Sequence, residues 1–385
     1  MSVRKKFRVR RHSLDDALAT LPPMEKYDGN IRDIDLFICA VGFEDRVLAV
    51  PKSLTSACDI TINSALIGRY KTNPEENLVN EKLLAPVLVS LGARLSYFHA
   101  DSPEQVHKAI QSALLNLNKE FTSHVVLDIS GGSSSFIISA LNSLFRSDID
   151  FDVTIFYTTA DVYHAPKNIN AEHPISVWTE EDMRELGVDS VTTNELIPGI
   201  HHDHLPNYVI AIPSMFTARM QRGLSHLGIG NLSGADESVY WILPSTEDAT
   251  HQWRQSQVEK SLLRMINGEP ELDGVAIQSL PDGRWSYCDA LDYIDCTRTV
   301  MNQIDNHSDH NISLIHVGSK LQAVGVSLAL AARREVSVVN TRPQSFSAAT
   351  YSKGQGEVYC IRLESLKKLV RKLAGVGSIN IESFR

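Results

Sequence analysis

The stretch from His124 to Phe145 constrains the fold most strongly. A short apolar run, Val125–Leu127, has the length and the β-branched character of a buried strand. Asp128 and a turn rich in glycine and serine follow it, and an apolar run with helical spacing begins at Phe136. A strand, a glycine-rich turn and a helix in this order gather backbone N–H groups at a helix N-terminus, where an anion binds. The stretch therefore predicts an α/β unit with a ligand site at the carboxyl end of its strand.

The same turn excludes several familiar site classes. No lysine follows the glycines at P-loop spacing, and the turn has neither the GxGxxG of a dinucleotide site nor the GxSxG of an α/β-hydrolase. An ordinary turn that ends in a serine N-cap is the alternative interpretation. The pattern indicates a ligand but no particular reaction.

Strands and helices alternate around this stretch over residues 31–165. This alternation predicts a doubly wound, mostly parallel sheet. Pro86 is expected to kink or split the second helix of the unit. The expected strands are Ile34–Val41, Ile60–Leu66, Arg94–Phe98, Val125–Leu127 and Phe151–Tyr157.

The pattern restarts in a second unit, residues 207–385. The segment from Ile312 to Arg333 again runs from an apolar strand through a glycine-serine turn into an apolar helix. We therefore predict an α/β fold of two Rossmann-like, doubly wound, mostly parallel sheets, consistent with an internal duplication. A helix is expected over Cys288–Ile304, and a last strand (Val358–Leu363) and a basic C-terminal helix are counted with this unit.

Two segments lack this periodicity. Residues 1–30 are expected to form a basic tail or edge strand, since six of the eight residues from Arg4 to Arg11 are cationic. Residues 166–206 contain four prolines and are expected to be a connector with one short helix near Glu180–Leu186. The run from His201 to His204 is expected to be an exposed polar loop, because adjacent side chains cannot all close on one metal ion.

Composition narrows the class of protein. The formal net charge of −9 argues against general adhesion to nucleic acid. The five cysteines form no CxxC pair, which indicates a reducing compartment and no zinc site. Because no apolar run reaches 18 residues, we expect a cytoplasmic protein that does not enter a membrane. We expect no metal and no cofactor.

The candidate ligand-binding residues follow strand ends in both units. Glycines allow close backbone approach, hydroxyls and backbone N–H groups bind phosphate oxygens, and the cations and the aromatic suit a phosphate and a base. Gly132 is expected to adopt positive φ, with its Cα facing the ligand. Glu44 and Asp128 are also the candidate acid and base of an enzyme. The full set is Gly42, Glu44, Arg46, Arg69, Tyr70, Thr72, Asp128, Ser130, Gly131, Gly132, Ser133, Ser134, Gly318, Ser319 and Lys320.

Three segments resemble the CRISPR-associated Rossmann-fold (CARF) sensor domains. Val126–Ser133 resembles their Asp-x-Ser/Thr-Gly-Gly-Thr turn, Phe37–Arg46 their first ligand-binding loop, and Gly318-Ser319-Lys320 the Gly-Thr-Lys form of that turn. Ser134 stands where that family often has a cation. The resemblance implies a cytosolic sensor of a nucleotide or cyclic oligonucleotide in bacterial antiviral defence, and a homodimer. An effector protein partner is also implied, since no nuclease motif is present.

Two alternatives remain open. The first is an enzyme that acts on a nucleotide or phosphosugar in the crevice between the lobes, a hydrolase or phosphodiesterase with Asp128 and Glu44 as acid and base. The second is a nucleic-acid-binding subunit of a defence complex that uses the basic N-terminus. The negative net charge of the chain disfavours this nucleic-acid-binding alternative.

Overall fold

The computed structural model describes residues 6–11, 13–56, 60–117, 122–163, 185–230, 238–249, 251–267, 280, 282–347, 352–376 and 379–384. These residues form two mostly parallel sheets with helices packed on them, which confirms the predicted α/β fold of two Rossmann-like lobes. In chain order the strands are β1 (Lys6–Arg11), β2 (Glu25–Lys26), β3 (Ile34–Val41), β4 (Ile62–Arg69), β5 (Arg94–His99), β6 (His124–Asp128), β7 (Asp152–Thr158), β8 (Val162–Tyr163), β9 (Glu185–Pro198), β10 (Asn207–Ile212), β11 (Val239–Ser245), β12 (Trp285–Asp289), β13 (Asn311–His316), β14 (Ser337–Phe346), β15 (Ser352–Lys353), β16 (Val358–Leu363) and β17 (Ile379–Phe384).

Helices connect most of these strands. A short 3₁₀ helix (Asp45–Leu48) precedes α2, and Pro86 lies inside an unbroken α3, so the predicted split does not occur. In chain order the α-helices are α1 (Leu14–Leu18), α2 (Ala49–Thr55), α3 (Pro74–Ser90), α4 (Pro103–Leu114), α5 (Ser134–Phe145), α6 (Ala218–His226), α7 (Gln252–Asn267), α8 (Tyr293–Asn306), α9 (Lys320–Ala332) and α10 (Leu366–Ala374).

Both sheets have the same strand order. In the first lobe the parallel strands run β5-β4-β3-β6-β7, and in the second they run β12-β11-β10-β13-β14. Each is the order 3-2-1-4-5 of a doubly wound Rossmann-type sheet, in which the strand order reverses between the first and fourth strands. Gly132 and Gly318 each follow the fourth strand, at the equivalent strand-to-helix turns that we predicted. The carboxyl ends of β3 and β6 therefore mark the ligand crevice of the first lobe.

The chain exchanges one strand between the lobes in each direction. Beyond the first lobe's fifth strand, β9 pairs antiparallel with β14 of the second lobe. Beyond β14, the chain returns and β16 pairs antiparallel with β7 of the first lobe. The predicted connector therefore contains a long strand: Glu185 and Leu186 begin β9, and residues 164–184 lie outside the described residues. β16, which we had counted with the second unit, belongs to the first sheet.

A continuous hydrophobic core joins the lobes. Helices α5 and α9 follow the two equivalent turns and pack against each other. Phe136 and Leu141 of α5 and Val324 and Leu328 of α9 are buried in a single apolar cluster. Burial of this shared surface fixes the two turns close together.

The N-terminal segment is more than a tail. Leu18 of α1 and Leu21 are buried in the shared core, and β1 pairs antiparallel with β17. The expectation of a basic tail over residues 1–30 is therefore wrong for residues 14–26, while Arg4 and Lys5 lie outside the described residues. The predicted helix Cys288–Ile304 is also wrong at its start, because Cys288 lies in β12 and α8 begins only after its N-cap, Asp292.

Two properties of the described residues bear on function. None of the helices that the structure describes combines the length and the apolar character needed to cross a bilayer. The side chains of His201–His204 are exposed. In the described ranges, no three His, Cys, Asp or Glu side chains are grouped so as to hold a metal ion.

Candidate functional site

A cavity of about 150 Å³ lies between the lobes, at the carboxyl edge of the first sheet. The first lobe contributes the loops that follow β3, β4, β5 and β6, together with the start of α5. The second lobe contributes β9, α6, the end of β13, the start of α9 and the long strand β14. The cavity therefore sits at the switch point of the first sheet, and the second lobe forms part of its wall.

Nine of the fifteen predicted residues line this cavity. They are Gly42, Glu44, Tyr70, Thr72, Gly131, Gly132, Ser133, Ser134 and Lys320. Six do not: Arg46, Arg69, Asp128, Ser130, Gly318 and Ser319. Sequence reasoning did not assign several of the remaining lining residues, among them Phe43, Asn77, Asp101, Ser135, Arg219, His316, Thr341 and Phe346. Ser135 and His316 directly adjoin the predicted turns, so their position along the chain was the available signal.

Arg69 points away from the cavity. Its guanidinium binds both oxygens of Glu81 at 2.7 and 2.5 Å and lies 3.9 Å from the ring centroid of Tyr97. Arg69 is therefore an exposed ion-paired residue of the sheet edge rather than part of this site.

A buried ionic network underlies the first loop. Arg46 donates to both oxygens of Glu44 at 2.7 and 2.9 Å, and the hydroxyl of Ser352 also donates to Glu44. Lys320 reaches across from the second lobe: its Nζ lies 3.7 Å from Glu44 and donates to the carbonyl of Gly132 at 2.9 Å. Burial alone would raise the pKa of Glu44, but Arg46 and Lys320 outweigh it and lower the pKa. Glu44 is thus an ionised anchor and is poorly suited to act as a general base.

Asp128 is fully buried beneath the turn. Its Oδ1 accepts the N–H of Ser130 at 2.8 Å, and its Oδ2 has no partner among the described residues. Burial raises the pKa of Asp128 to about 7, against the opposing effects of Ser130, Arg46 and Lys320. Ser130 is equally buried, and its Oγ accepts the N–H of Thr158 at 3.0 Å. Both residues therefore support the turn through hydrogen bonds and do not line the cavity.

The two glycines of the turn serve packing. Neither adopts positive φ, so that expectation for Gly132 is wrong. A Cβ on Gly131 would overlap the carbonyl oxygen of Ala40 in β3. A Cβ on Gly132 would meet Phe136 and Ile137 at 3.0 Å, which places it toward the core and not toward a ligand. The glycines let the turn lie directly against the first strand.

The start of α5 offers backbone donors to the cavity. Ser133 is the N-cap, and its hydroxyl accepts the N–H of Phe136 at 3.2 Å. The N–H of Ser133 donates to the hydroxyl oxygen of Tyr70 at 2.7 Å. Within the described chain the N–H groups of Ser134 and Ser135 have no partner, as expected for the first helical turn. Both residues line the cavity at the positive end of the helix dipole, a position that favours an anionic group.

The equivalent turn of the second lobe is capped in a similar way. Ser319 and Gln322 form a reciprocal capping box at the start of α9. The Ser319 hydroxyl also donates to the carbonyl of Ala290. Gly318 and Ser319 therefore lie just before the capped N-terminus of α9. Of this turn, only Lys320 lines the cavity.

Three buried polar groups of the cavity lack partners in the part of the chain that the structure describes. They are the Oδ1 of Asn77, both ring nitrogens of His316 and the hydroxyl of Thr341. Buried polar groups in folded proteins nearly always form hydrogen bonds, and leaving one unpaired costs stability. These three groups make the cavity a candidate site for a polar ligand.

The end of β14 seals the cavity against the first lobe. Phe346 packs against Phe43 with ring centroids 5.8 Å apart. Asn73 binds the backbone of Phe346 in both directions, accepting from its N–H at 3.1 Å and donating to its carbonyl at 2.9 Å. This contact ties the wall contributed by the second lobe to the loop that follows β4.

Comparisons with known proteins add little to this geometry. No protein-family model and no curated protein sequence matches the chain. A solved structure titled "GsuK channel bound to NAD" is 9% identical over 93% of this chain and 81% of that chain, with a TM-score of 0.19. A second, "GsuK Channel", is 10% identical over 91% of this chain and 80% of that chain, with a TM-score of 0.18. At such TM-scores neither likeness carries an argument about fold or ligand.

Proposed function

We propose that this protein is a CARF-like sensor that binds a nucleotide or a cyclic oligonucleotide in the cavity between its lobes. The observation that carries the proposal is the start of α5: Ser134 and Ser135, whose N–H groups have no partner among the described residues, line a cavity at the switch point of a Rossmann-type sheet. This is the position at which such sheets hold the phosphate of a nucleotide.

The geometry favours a regulatory role over catalysis. Glu44 is held by several donors, and Asp128 lies outside the cavity, so neither candidate of the enzyme hypothesis is available as acid or base. A ligand that contacts both lobes changes the relative free energy of their arrangements, which is how a sensor responds. The proposal includes an effector partner and a role in antiviral defence, which the resemblance to CARF sensors supports.

The contact between lobes bears on the proposed homodimer. Lys320 of the second lobe donates to Gly132 in the turn of the first, so two equivalent turns meet within one chain. One chain therefore already offers the pairing that the resemblance assigns to two copies. A homodimer remains part of the proposal as an assembly of two such chains.

The primary experiment identifies the ligand. The protein is purified under native conditions, small molecules that it releases are analysed by mass spectrometry, and calorimetry then tests mononucleotides and cyclic oligoribonucleotides of two to six residues. We expect at least one of these compounds to bind. Failure of all of them, together with no nucleotide in the released fraction, would overturn the proposal.

The substitution Ser134→Pro tests the phosphate position. Ser134 is the first residue of α5, where proline is well tolerated, and α3 and α4 of this chain both begin with proline. Ser133 has an extended backbone, with φ −75° and ψ 158°, which suits a residue before proline. Loss of one N–H bond to a charged phosphate should weaken binding about tenfold to a hundredfold.

The matched control is Ser134→Ala, which removes the hydroxyl and keeps the N–H. It should bind within a few-fold of the unmodified protein, and both variants should melt normally. Equal binding by Ser134→Pro and the unmodified protein would place the phosphate elsewhere.

A further inference from the structure

His316 is a buried histidine whose ring forms no hydrogen bond with the described residues. It ends β13 beside the second turn, is 6% exposed and lines the cavity, and neither ring nitrogen has a partner in the described part of the protein. His124 ends up equally buried, at 4%, but is fully engaged: its Nδ1 lies 3.2 Å from the carbonyl of Asp33 and its Nε2 2.9 Å from the hydroxyl of Thr154. His124 therefore has a hydrogen-bond partner at each ring nitrogen, whereas His316 has none among the described residues.

The ring of His316 is neutral at physiological pH. Burial, and then the nearby Arg219, lower its pKa to about 3. A neutral imidazole carries one hydrogen-bond donor and one acceptor. It is therefore matched to an uncharged group that both accepts and donates, such as a nucleobase edge or a ribose hydroxyl, and it offers no charge to a phosphate.

The cations of the cavity are already paired. Lys320 lies 3.7 Å from Glu44, Arg219 binds both oxygens of Glu185 at 2.7 and 2.5 Å, and the Nε of Arg342 binds Asp189 at 2.8 Å. With these charges balanced, the cavity has little surplus positive charge for a polyphosphate chain. The donors at the start of α5 suffice for one phosphate group.

We propose that the cavity reads one nucleotide unit, with a single phosphate at the start of α5 and the uncharged nucleoside part bound by the ring of His316. This deepens the proposed function and rests on it, because it assigns the two ends of the same site. The unit binds as a free mononucleotide.

The binding test compares both ends of the site. Calorimetry uses the 5′-monophosphates of adenosine, guanosine, cytidine and uridine, the four nucleosides, and inorganic phosphate. For the monophosphate that binds best, His316→Leu should weaken binding about tenfold to a hundredfold, the loss of two hydrogen bonds, and His316→Gln should restore part of it. Inorganic phosphate should bind His316→Leu as it binds the unmodified protein, whereas Ser134→Pro should weaken it.

A ligand-free measurement keeps the inference testable. Because the ring of His316 has no partner to lose, His316→Leu should melt at or above the temperature of the unmodified protein. The matched control His124→Leu should melt lower, because it strands the hydroxyl of Thr154 and the carbonyl of Asp33.

The outcomes separate this inference from the proposed function. If His316→Leu melts as low as His124→Leu, or binds the monophosphate as tightly as the unmodified protein, the role given to His316 is wrong. If none of the four monophosphates binds, the single-unit assignment is wrong, while binding of a cyclic oligonucleotide in the earlier experiment would still uphold the proposed function.

Discussion

The carboxyl group of Asp128 should make the stability of the protein depend on pH in a predictable direction. It is fully buried, its Oδ2 has no partner among the described residues, and its pKa is raised from 3.8 to about 7, chiefly by burial. The substitution Asp128→Asn keeps the shape and the acceptor for the N–H of Ser130, and it removes the titration. Comparing the two proteins across pH isolates this one group, since all other groups titrate alike in both.

The sign follows from linkage between protonation and folding. Between pH 4 and pH 7 the carboxyl is ionised in the unfolded chain and protonated in the folded one, so the folded state binds more protons. Its contribution to stability is complete below about pH 3.8 and is lost as pH rises to about 7. A difference of about three pKa units at about 1.4 kcal/mol each corresponds to about 4 kcal/mol.

The assay is urea unfolding of both proteins at several pH values from 4.5 to 8.5. Relative to Asp128→Asn, the unmodified protein should lose most of about 4 kcal/mol of unfolding free energy by pH 7, and the difference should then stay constant. A difference that is flat from pH 4.5 to 7, or one that grows in the opposite direction, would refute the assignment of a buried, neutral carboxyl.

Two further substitutions, one of them paired with a control variant, test the packing of the fold. Gly131→Ala should lower the unfolding free energy by about 2 kcal/mol or more, because its Cβ would overlap the carbonyl of Ala40, while Gly42→Ala, whose Cβ would make only an ordinary contact at 3.5 Å, should change it little in urea unfolding. Leu18→Ala should cost about 3 kcal/mol in the same assay, since Leu18 is 1% exposed in the shared core, and a loss below 1 kcal/mol would restore the view of residues 1–30 as a tail.

Local sequence signals predicted the parallel strands and the position of the central turn. Ile34–Val41 is a strand with the predicted bounds, because a run of apolar and β-branched residues suits a strand buried on both faces. The His124–Phe145 stretch likewise has the predicted strand, turn and helix. In both, the pattern that defines the element lies within the element itself.

The features that were missed depend on contacts between distant segments. Positive φ at Gly132 was inferred from the residue type, whereas the approach of Ala40 to Gly131 is what requires glycine in the turn. The partner of β16 is a strand two hundred residues earlier in the chain, and alternation within Val358–Leu363 does not identify it. The unpaired state of His316 is also a property of its surroundings and leaves no trace in the neighbouring residues.

The exchange of strands explains why the site belongs to both lobes. Ser190 and Thr192 of the cavity wall lie on β9, which continues the chain from the first lobe but completes the second sheet. The neighbouring strand β14 carries the adjacent part of that wall, and Phe346 at its end is held by Asn73 of the first lobe. A displacement of either lobe therefore moves a wall of the cavity and a strand of the other sheet together. A ligand can change the arrangement of the two lobes only through contacts that differ between one arrangement and another. A cavity wall that moves with either lobe provides such contacts.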